Sequence, residues 1–107
     1  MKLLTRSEEF VMLAIWRLQE EGYTLAIRKQ VSAITGQEWS LSSIYTPLDR
    51  LTRKGYITSY LSEPTSKRGG RHKRIYEVTI SGRQALTHIR RIEEAMWADI
   101  QGLLIAG

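Results

Sequence analysis

The chain has 107 residues and a mass of 12.3 kDa, which is the size of one domain, and its 42% hydrophobic and 25% charged residues are ordinary for a folded protein. It contains no cysteine, which excludes disulfide scaffolds, thiolate nucleophiles and cysteine-based metal sites. The longest apolar run, Phe10 to Trp16, is far shorter than the roughly 20 residues that span a bilayer. We therefore expect a small cytoplasmic protein that does not enter a membrane.

The net charge of +5 is unevenly distributed. Between Arg28 and Arg91 there are 13 Lys and Arg residues against four acidic residues, whereas the two ends together carry three basic and seven acidic residues. This segregation favours contact with a polyanion, above all nucleic acid, and leaves an anionic membrane surface as a second interpretation.

The first predicted helix begins with a capping box, Thr5-Arg6-Ser7-Glu8, and continues to about Glu21, before Gly22. Its core stripe is Val11, Ala14/Ile15 and Leu18, yet the other sides are also apolar, with Phe10, Met12, Leu13 and Trp16. A surface helix of a monomer normally has one apolar stripe. We therefore expect another element or subunit to cover the second face.

Two further helices are predicted. In the first, Thr24 is the expected cap, Ile27, Val31 and Ile34 point inward, and Gly36 ends the helix. The second follows Ser40, carries the inward stripe Leu41, Ile44, Leu48 and Leu51, and ends at Gly55. Pro47 lies within this helix and removes one backbone donor, so we expect a kinked or tightened first half.

The periodicity then changes to that of strands. Residues 56–61 and 74–80 are rich in β-branched and aromatic side chains and predict a hairpin with a long tip. The tip and its flank are cationic, with Lys67, Arg68, Arg71, His72, Lys73 and Arg74. A last helix is predicted from Thr79 or Ser81 to Ile105 because Leu86, Ile89, Ile92, Met96, Ile100 and Leu103 recur at steps of three and four.

The last helix implies a homodimer. About 25 residues at 1.5 Å each give roughly 37 Å of helix, which must overhang a globule with a radius of gyration near 13 Å. Its apolar stripe and the second face of the first helix would both be covered if the last helix packed against a second copy. We divide the chain into a winged helix-turn-helix domain, residues 1–80, and a dimerisation helix, residues 81–107, within one structural unit.

The order of three helices, a hairpin and a further helix is an α+β, mostly α pattern: the winged helix-turn-helix (α-α-α-β-β-α) with a long C-terminal helix. In this fold the third helix enters the major groove of DNA. Its side away from the core offers Ser42, Ser43 and Thr46 for bases or phosphates, and Arg50 and Arg53 for phosphates. Lys67, Arg68, Arg71, His72 and Lys73 would then lie over an adjacent minor groove or backbone.

Two sequence stretches carry a resemblance to a known family. Tyr45 to Ile57 fits the pattern Tyr-x-x-Leu-x-x-Leu-x-x-x-Gly-x-Ile, and residues 69–82 are close to Gly-Gly-Arg-Arg-Lys-x-x-Tyr-x-Leu-Thr-x-x-Gly. With the Leu-Thr opening and the apolar first helix, the chain resembles the PadR-like family of bacterial transcriptional regulators, in particular its short members with one C-terminal helix. Three positions depart from the family pattern: Asp49 stands where Lys is common and would repel phosphate, Pro47 is shifted by one place, and His72 replaces Arg.

The resemblance implies a dimeric repressor that binds an inverted-repeat operator in double-stranded DNA through the third helix and the wing. It also implies that a small aromatic ligand releases DNA in some members. For Tyr45 the family match implies a phosphate contact, against the alternative that its ring packs under the wing.

Seven side chains have two open interpretations: a pocket for a flat aromatic effector, or plain core of the dimer interface. They are Phe10, Ala14, Trp16, Ile89, Met96, Trp97 and Ile100. Trp39, before the third helix, is expected to cover the core.

We expect no enzyme, metal or cofactor. His72 lies among cations and His88 on the flank of the last helix, and neither has the carboxylate, nucleophile or metal-ligand spacing of a catalytic site. The alternative function is a winged-helix protein-interaction module, whose basic wing binds an acidic partner and whose first helix docks a second protein.

Overall fold

The computed structural model describes residues 2–63 and 72–100. Its elements are the helices α1 (Arg6–Leu18), α2 (Thr24–Thr35) and α3 (Leu41–Arg53), the strands β1 (Ile57–Leu61) and β2 (Arg74–Val78), and the helix α4 (Ile80–Trp97). A short 3₁₀ turn, Gln19–Glu21, follows α1. This is the predicted mostly helical winged helix with a two-stranded antiparallel sheet.

The start of α1 confirms the predicted capping box. The Thr5 hydroxyl accepts a hydrogen bond from the Glu8 N–H at 3.1 Å, and the Thr5 N–H donates to the Glu8 carboxylate at 2.8 Å. The predicted end at Glu21 is wrong by three residues, because Gln19 adopts a positive φ of 53° and the chain tightens into the 3₁₀ turn. This turn brings Gly22 to β2, where the Gly22 carbonyl accepts a hydrogen bond from the Tyr76 N–H at 3.0 Å.

The predicted ends of α2 and α3 need small corrections. Thr24 is the first residue of α2 rather than its cap, which is Tyr23 and makes no side-chain hydrogen bond. Gly36 ends α2 in the left-handed conformation as predicted, and Ser40 caps α3 through the Ser43 N–H at 3.2 Å. Ile34 and Leu41, predicted to point inward, are exposed because each lies at an outer end of its helix stripe.

The core lies where α1, α2 and α3 meet. Its fully buried side chains include Met12 and Ile15 of α1, and they pack with Ile27, Val31, Ile44, Leu48, Leu51 and Ile57. Each such aliphatic side chain contributes roughly 1.5–3 kcal/mol by leaving water. Pro47 is also buried on this side of α3. The predicted stripes are therefore confirmed over the middle of each helix.

The two strands form the predicted hairpin, each shorter than expected. Ile57 pairs with Val78 and Leu61 with Arg74 in an antiparallel register. Ile75 is buried and anchors the hairpin to the body. Tyr56 and Thr79, which were assigned to strands, instead join the elements: the Thr79 N–H donates to the Tyr56 carbonyl at 3.0 Å, and the Thr79 hydroxyl caps α4 by accepting from the Gly82 N–H at 3.1 Å.

Gly82 lies where three elements come closest. A Cβ atom at this position would collide with the Tyr56 carbonyl oxygen and would lie 2.8 Å from Val78 and 2.9 Å from Met12. Only glycine permits α4 to approach β1, β2 and α1 this closely. The glycine of the wing pattern therefore has a packing role.

The last helix ends earlier than predicted. α4 stops at Trp97, and Asp99 adopts a positive φ of 66°. The predicted continuation of this helix through Ile100 is therefore wrong, and the predicted helical residues 101–105 lie outside the described part of the chain. Only Gly82, Ala85 and Ile89 of α4 are buried, all within its first ten residues. Residues 94–97, which follow the contact of Glu93 with Arg6, are all exposed.

A buried ion pair joins α1 to α3. Glu8 is 0% exposed, and its carboxylate lies 2.7 Å from the Nζ atom of Lys54, the residue at the end of α3. Burial alone would raise the pKa of Glu8, but hydrogen bonds from Lys54 and from the Thr5 backbone, with the Lys54 charge, outweigh burial and lower the pKa. Glu8 therefore serves both the cap of α1 and the position of α3.

We expect Lys54→Met to lower the free energy of unfolding at pH 7 by about 2–3 kcal/mol, because it leaves a buried carboxylate without its ammonium partner. Because the pKa of Glu8 is lower in the folded state than in the unfolded state, ionised Glu8 stabilises the fold at pH values above its unfolded pKa. This stabilisation is lost as the pH falls through the folded pKa. The difference in the free energy of unfolding between wild type and Lys54→Met should accordingly decrease as the pH is lowered toward 4. Urea denaturation of both proteins at the same protein concentration measures this difference.

The matched control is the double variant Glu8→Gln with Lys54→Met, which removes both charges and keeps an amide for the capping box. It should be more stable at pH 7 than Lys54→Met alone. Equal stability of the single and double variants would contradict the role given to this ion pair.

Candidate nucleic-acid interface

The first turn of α3 carries a cluster of hydroxyls. The Ser40 Oγ lies 2.8 Å from the Ser43 Oγ and 3.1 Å from the Ser42 Oγ, and all three residues are exposed. The positive end of the helix dipole lies at the same turn, and together they form a surface that attracts anions. The predicted residues Ser42 and Ser43 are therefore placed together at the end of α3 that a major-groove helix uses.

The other predicted α3 residues are exposed along the helix. Tyr45 is 53% exposed. The Thr46 hydroxyl donates to the Ser42 carbonyl at 3.1 Å, and Arg50 and Arg53 follow one and two turns further along. The inner stripe is occupied by Ile44, Pro47, Leu48 and Leu51, so the polar residues are presented on the face away from the core.

Asp49 was predicted on the outward side of this helix but not among the residues that contact DNA. It lies among these polar residues, and its carboxylate is 2.9 Å from an Arg53 guanidinium nitrogen. The signal that could have identified it is the spacing of four residues between Asp49 and Arg53, which makes them neighbours on a helix.

The N-terminal end of α3 is held by α2 through Trp39. The Trp39 N–H donates to the Ser32 hydroxyl at 3.0 Å, its indole N–H donates to Thr35 at 3.2 Å, and its carbonyl accepts from Arg28 at 3.2 Å. The Trp39 ring meets Phe10 edge to face with centroids 6.3 Å apart and packs on the core, which confirms the expected cover. No sequence pattern indicates the hydrogen bond from Arg28 that holds this loop.

The base of the wing holds His72 and Lys73, the two predicted DNA-contact residues of the tip that the structure describes. His72 Nδ1 lies 2.7 Å from the Ser62 carbonyl oxygen, and the Lys73 backbone pairs with Ser62. The Lys73 ammonium lies 5.1 Å from the centre of the Tyr23 ring, an attractive cation–π contact that directs this charge toward the body. The predicted Lys67, Arg68 and Arg71 lie outside the described residues.

The family comparison places this arrangement among known proteins. The sequence model of the transcriptional regulator PadR-like family matches residues 12–88, which is most of the chain and includes α2, α3 and both strands. The chain belongs to this family. Members of the PadR-like family are transcriptional regulators, and the winged helix with an exposed α3 supports a DNA-binding regulator.

Solved structures show the same fold. A PadR family transcription regulator from Clostridium difficile is 29% identical, with a TM-score of 0.59 and coverage of 91% of this chain and 95% of that one. A PadR family regulator from Eggerthella lenta is 23% identical, with a TM-score of 0.66 and coverage of 88% and 80%. A protein from Streptococcus mutans is 21% identical, with a TM-score of 0.70 and coverage of 97% and 93%. No curated protein matches the chain.

Two features are absent from residues 2–63 and 72–100. No helix there has the length and apolar character needed to cross a membrane. The same residues contain no group of His, Asp and Glu side chains that could hold a metal ion.

A second surface of this PadR-like chain is apolar. Met96 is 74% exposed and Trp97 47% exposed on α4, and Leu13 and Trp16 are exposed on α1; with Ile100 we call these residues the apolar α1/α4 surface. Three of the seven residues predicted to form an effector pocket or the dimer interface do not lie on this surface. Ala14 and Ile89 are buried in the core of the chain itself, and Phe10 is half-buried beside Trp39.

An acidic pair borders this surface. Arg6 donates to Glu9 of α1 at 3.2 Å and to Glu93 of α4 at 3.0 Å, and so bridges the two helices. Burial raises the pKa of the Glu9 carboxyl, and the charge and hydrogen bond of Glu93 raise it further, whereas Arg6 opposes the shift. At the other end of α1, the Arg83 guanidinium of α4 lies 5.6 Å from the centre of the Trp16 ring. These polar contacts hold α4 against α1.

Proposed function

We propose that the chain is a homodimeric repressor that binds an inverted-repeat operator in double-stranded DNA through α3 and the wing. The exposed polar face of α3 carries the proposal: hydroxyls cluster at its first turn, and Arg50 and Arg53 follow on the side away from the core. Hydroxyls and guanidinium groups are the side-chain donors that most often contact phosphates and base edges.

The arrangement around α3 supports entry into a groove. Tyr45 and Arg50 are five residues apart, which separates them by about 140° around the helix axis. Both are exposed and flank the polar face on opposite sides. A helix lying in the major groove has a phosphate backbone on each flank, so we assign Tyr45 and Arg50 to the two backbones and Ser42, Ser43 and Thr46 to the first turn within the groove.

The wing is assigned to the neighbouring backbone or minor groove. The tip follows the antiparallel pair of strands, and its sequence contributes Lys67, Arg68 and Arg71 beside His72 and Lys73. Clustered cations of this kind release counterions from DNA and make binding dependent on salt.

We expect the full-length protein to bind a duplex selected from a random pool about 10³-fold more tightly than a scrambled duplex, as measured by fluorescence anisotropy. Arg50→Ala should weaken binding to both duplexes and reduce the slope of log K against log salt by about 1, because one phosphate contact is lost.

The matched control is Arg90→Ala, which removes the same charge from α4, where Arg90 pairs with Glu94 at 2.9 Å. It should leave the salt slope unchanged. Equal, weak binding of the wild type to both duplexes would contradict the repressor and favour the alternative, a winged-helix module that binds an acidic protein through its wing.

The homodimer is proposed from the apolar α1/α4 surface. Met96 and Trp97 are large apolar side chains exposed on the last turn of α4, and leaving them in water is unfavourable. A two-fold axis that pairs α4 with α1 and α4 of a second copy would cover both faces at once.

Met96→Glu should convert the dimer to a monomer in sedimentation velocity, because it places a carboxylate in an apolar interface. Leu61→Glu, the same kind of change at an exposed leucine of β1, should remain dimeric. A wild type that sediments as a monomer at tens of micromolar, or a dimeric Met96→Glu variant, would contradict the proposed interface.

A small flat aromatic effector is proposed between the two subunits, with release of DNA as its effect. Trp16 and Trp97 are both exposed, and an apolar groove of about 460 Å³ between α1 and α2 is lined in part by Phe10, Leu13 and Trp16. Within one chain Trp97 lies fourteen residues beyond Arg83, the residue of α4 that contacts Trp16, so we assign to this groove the Trp97 side chain of the second copy. Cavities of roughly 300–1,000 Å³ with such linings hold small ligands.

We expect 2-naphthol to quench tryptophan fluorescence and weaken DNA binding. Trp97→Ala should keep the dimer but lose most of the quenching, whereas Trp39→Phe should retain it because Trp39 packs against the core. Quenching of Trp97→Ala to the wild-type extent would contradict an effector site at Trp97 and leave these residues as interface core.

A further inference from the structure

The exposed face of α3 has a central line that contains one acidic residue. Ile44, Pro47, Leu48 and Leu51 define the buried side of the helix. With 100° per residue, the positions directly opposite that side are Ser42, Thr46, Asp49 and Arg53. Tyr45 and Arg50 lie on the flanks. If α3 occupies a major groove, the central line faces the base edges and the flanks face the phosphates.

Asp49 is unfavourable in any role that brings it near a phosphate. It is the only acidic residue of α3, and a carboxylate beside the DNA backbone would be repelled. Arg53 reduces this penalty, since its guanidinium lies 2.9 Å from the Asp49 carboxylate. A surface pair of this type contributes little to helix stability, so stability alone does not account for an acidic group on the central line.

A carboxylate has one favourable partner in the major groove. The N4 amino group of cytosine donates a hydrogen bond there, and Asp or Glu accepts it, whereas guanine O6 and N7 and thymine O4 are acceptors that repel a carboxylate. Adenine has an amino donor beside an acceptor, a pattern that an amide matches better than a carboxylate does.

We propose that Asp49 is a specificity-determining residue that accepts a hydrogen bond from cytosine N4 in the operator, with Arg53 orienting its carboxylate. This rests on the proposed function, because it needs α3 in a major groove. Asp49 selects for cytosine and against the other three bases at one position of each half-site, while the residues on the flanks provide affinity for any sequence.

The test compares full-length wild type, Asp49→Ala and Asp49→Asn in selection from a random duplex pool, followed by anisotropy on duplexes that differ at one base pair. Wild type should prefer cytosine at one position of each half-site by about 10-fold or more. Asp49→Ala should reduce this preference to less than about twofold and leave the other positions unchanged. Asp49→Asn should shift the preference toward adenine, which an amide reads through N6 and N7.

The matched control is Glu38→Ala, which removes an exposed carboxylate from the loop before α3. It should tighten binding to all sequences equally and change no preference. If Asp49→Ala does the same, the carboxylate is only an electrostatic penalty and the inference is overturned. If wild type shows no sequence preference at any position, the proposed function fails as well, and that result is distinct from loss of preference at one position.

Discussion

The fold depends on covering α1, which is apolar around most of its circumference. Such a helix is stable in water only when other elements pack on more than one side of it. The helices α2 and α3 pack on α1, and so do β2 and α4. Met12 and Ile15 are almost completely buried as a result, whereas Leu13 and Trp16 remain exposed. The positions of α3, the wing and α4 are therefore all set by contacts with one helix.

Polar contacts then fix the elements that form the candidate interface. The start of α3 is tied to α2 through Trp39, and its end is tied to α1 through the Glu8–Lys54 ion pair. The wing is tied to the turn after α1 by the hydrogen bond from Tyr76 to Gly22. Removing one partner of a buried polar pair costs much more free energy of folding than the intact pair contributes. These contacts therefore specify the positions of the elements more than they add stability. The relative placement of α3 and the wing follows from them.

The features that the sequence predicted correctly are local ones. A capping box, an apolar stripe or a change from helical to strand periodicity is recognisable within a few residues, so α1 to α3 and the hairpin were predictable. The end of α4 was not, because Ile100 and Leu103 continue the helical spacing while Asp99 takes a left-handed conformation that its identity only weakly favours. The exposure of Ile34 was not predictable either, because it depends on which elements pack on α2. The roles of Arg28 and Asp49 depend on their hydrogen-bond and ion-pair partners, which periodicity does not identify.

The helix α1 contacts α3 and forms part of the apolar α1/α4 surface, and this links the two candidate surfaces physically. Glu8 lies in the first turn of α1 and holds Lys54 of α3, while Trp16, near the other end, is exposed at the apolar α1/α4 surface and contacts Arg83 of α4. Thirteen residues of regular helix span about 20 Å and bend little over that length. A shift of α1, caused by a change in what packs on the apolar surface, would carry α3 with it. Separating Glu8 from Lys54 would otherwise leave a carboxylate buried without its partner. The apolar surface and α3 are therefore connected by one rigid helix, with no loop between them.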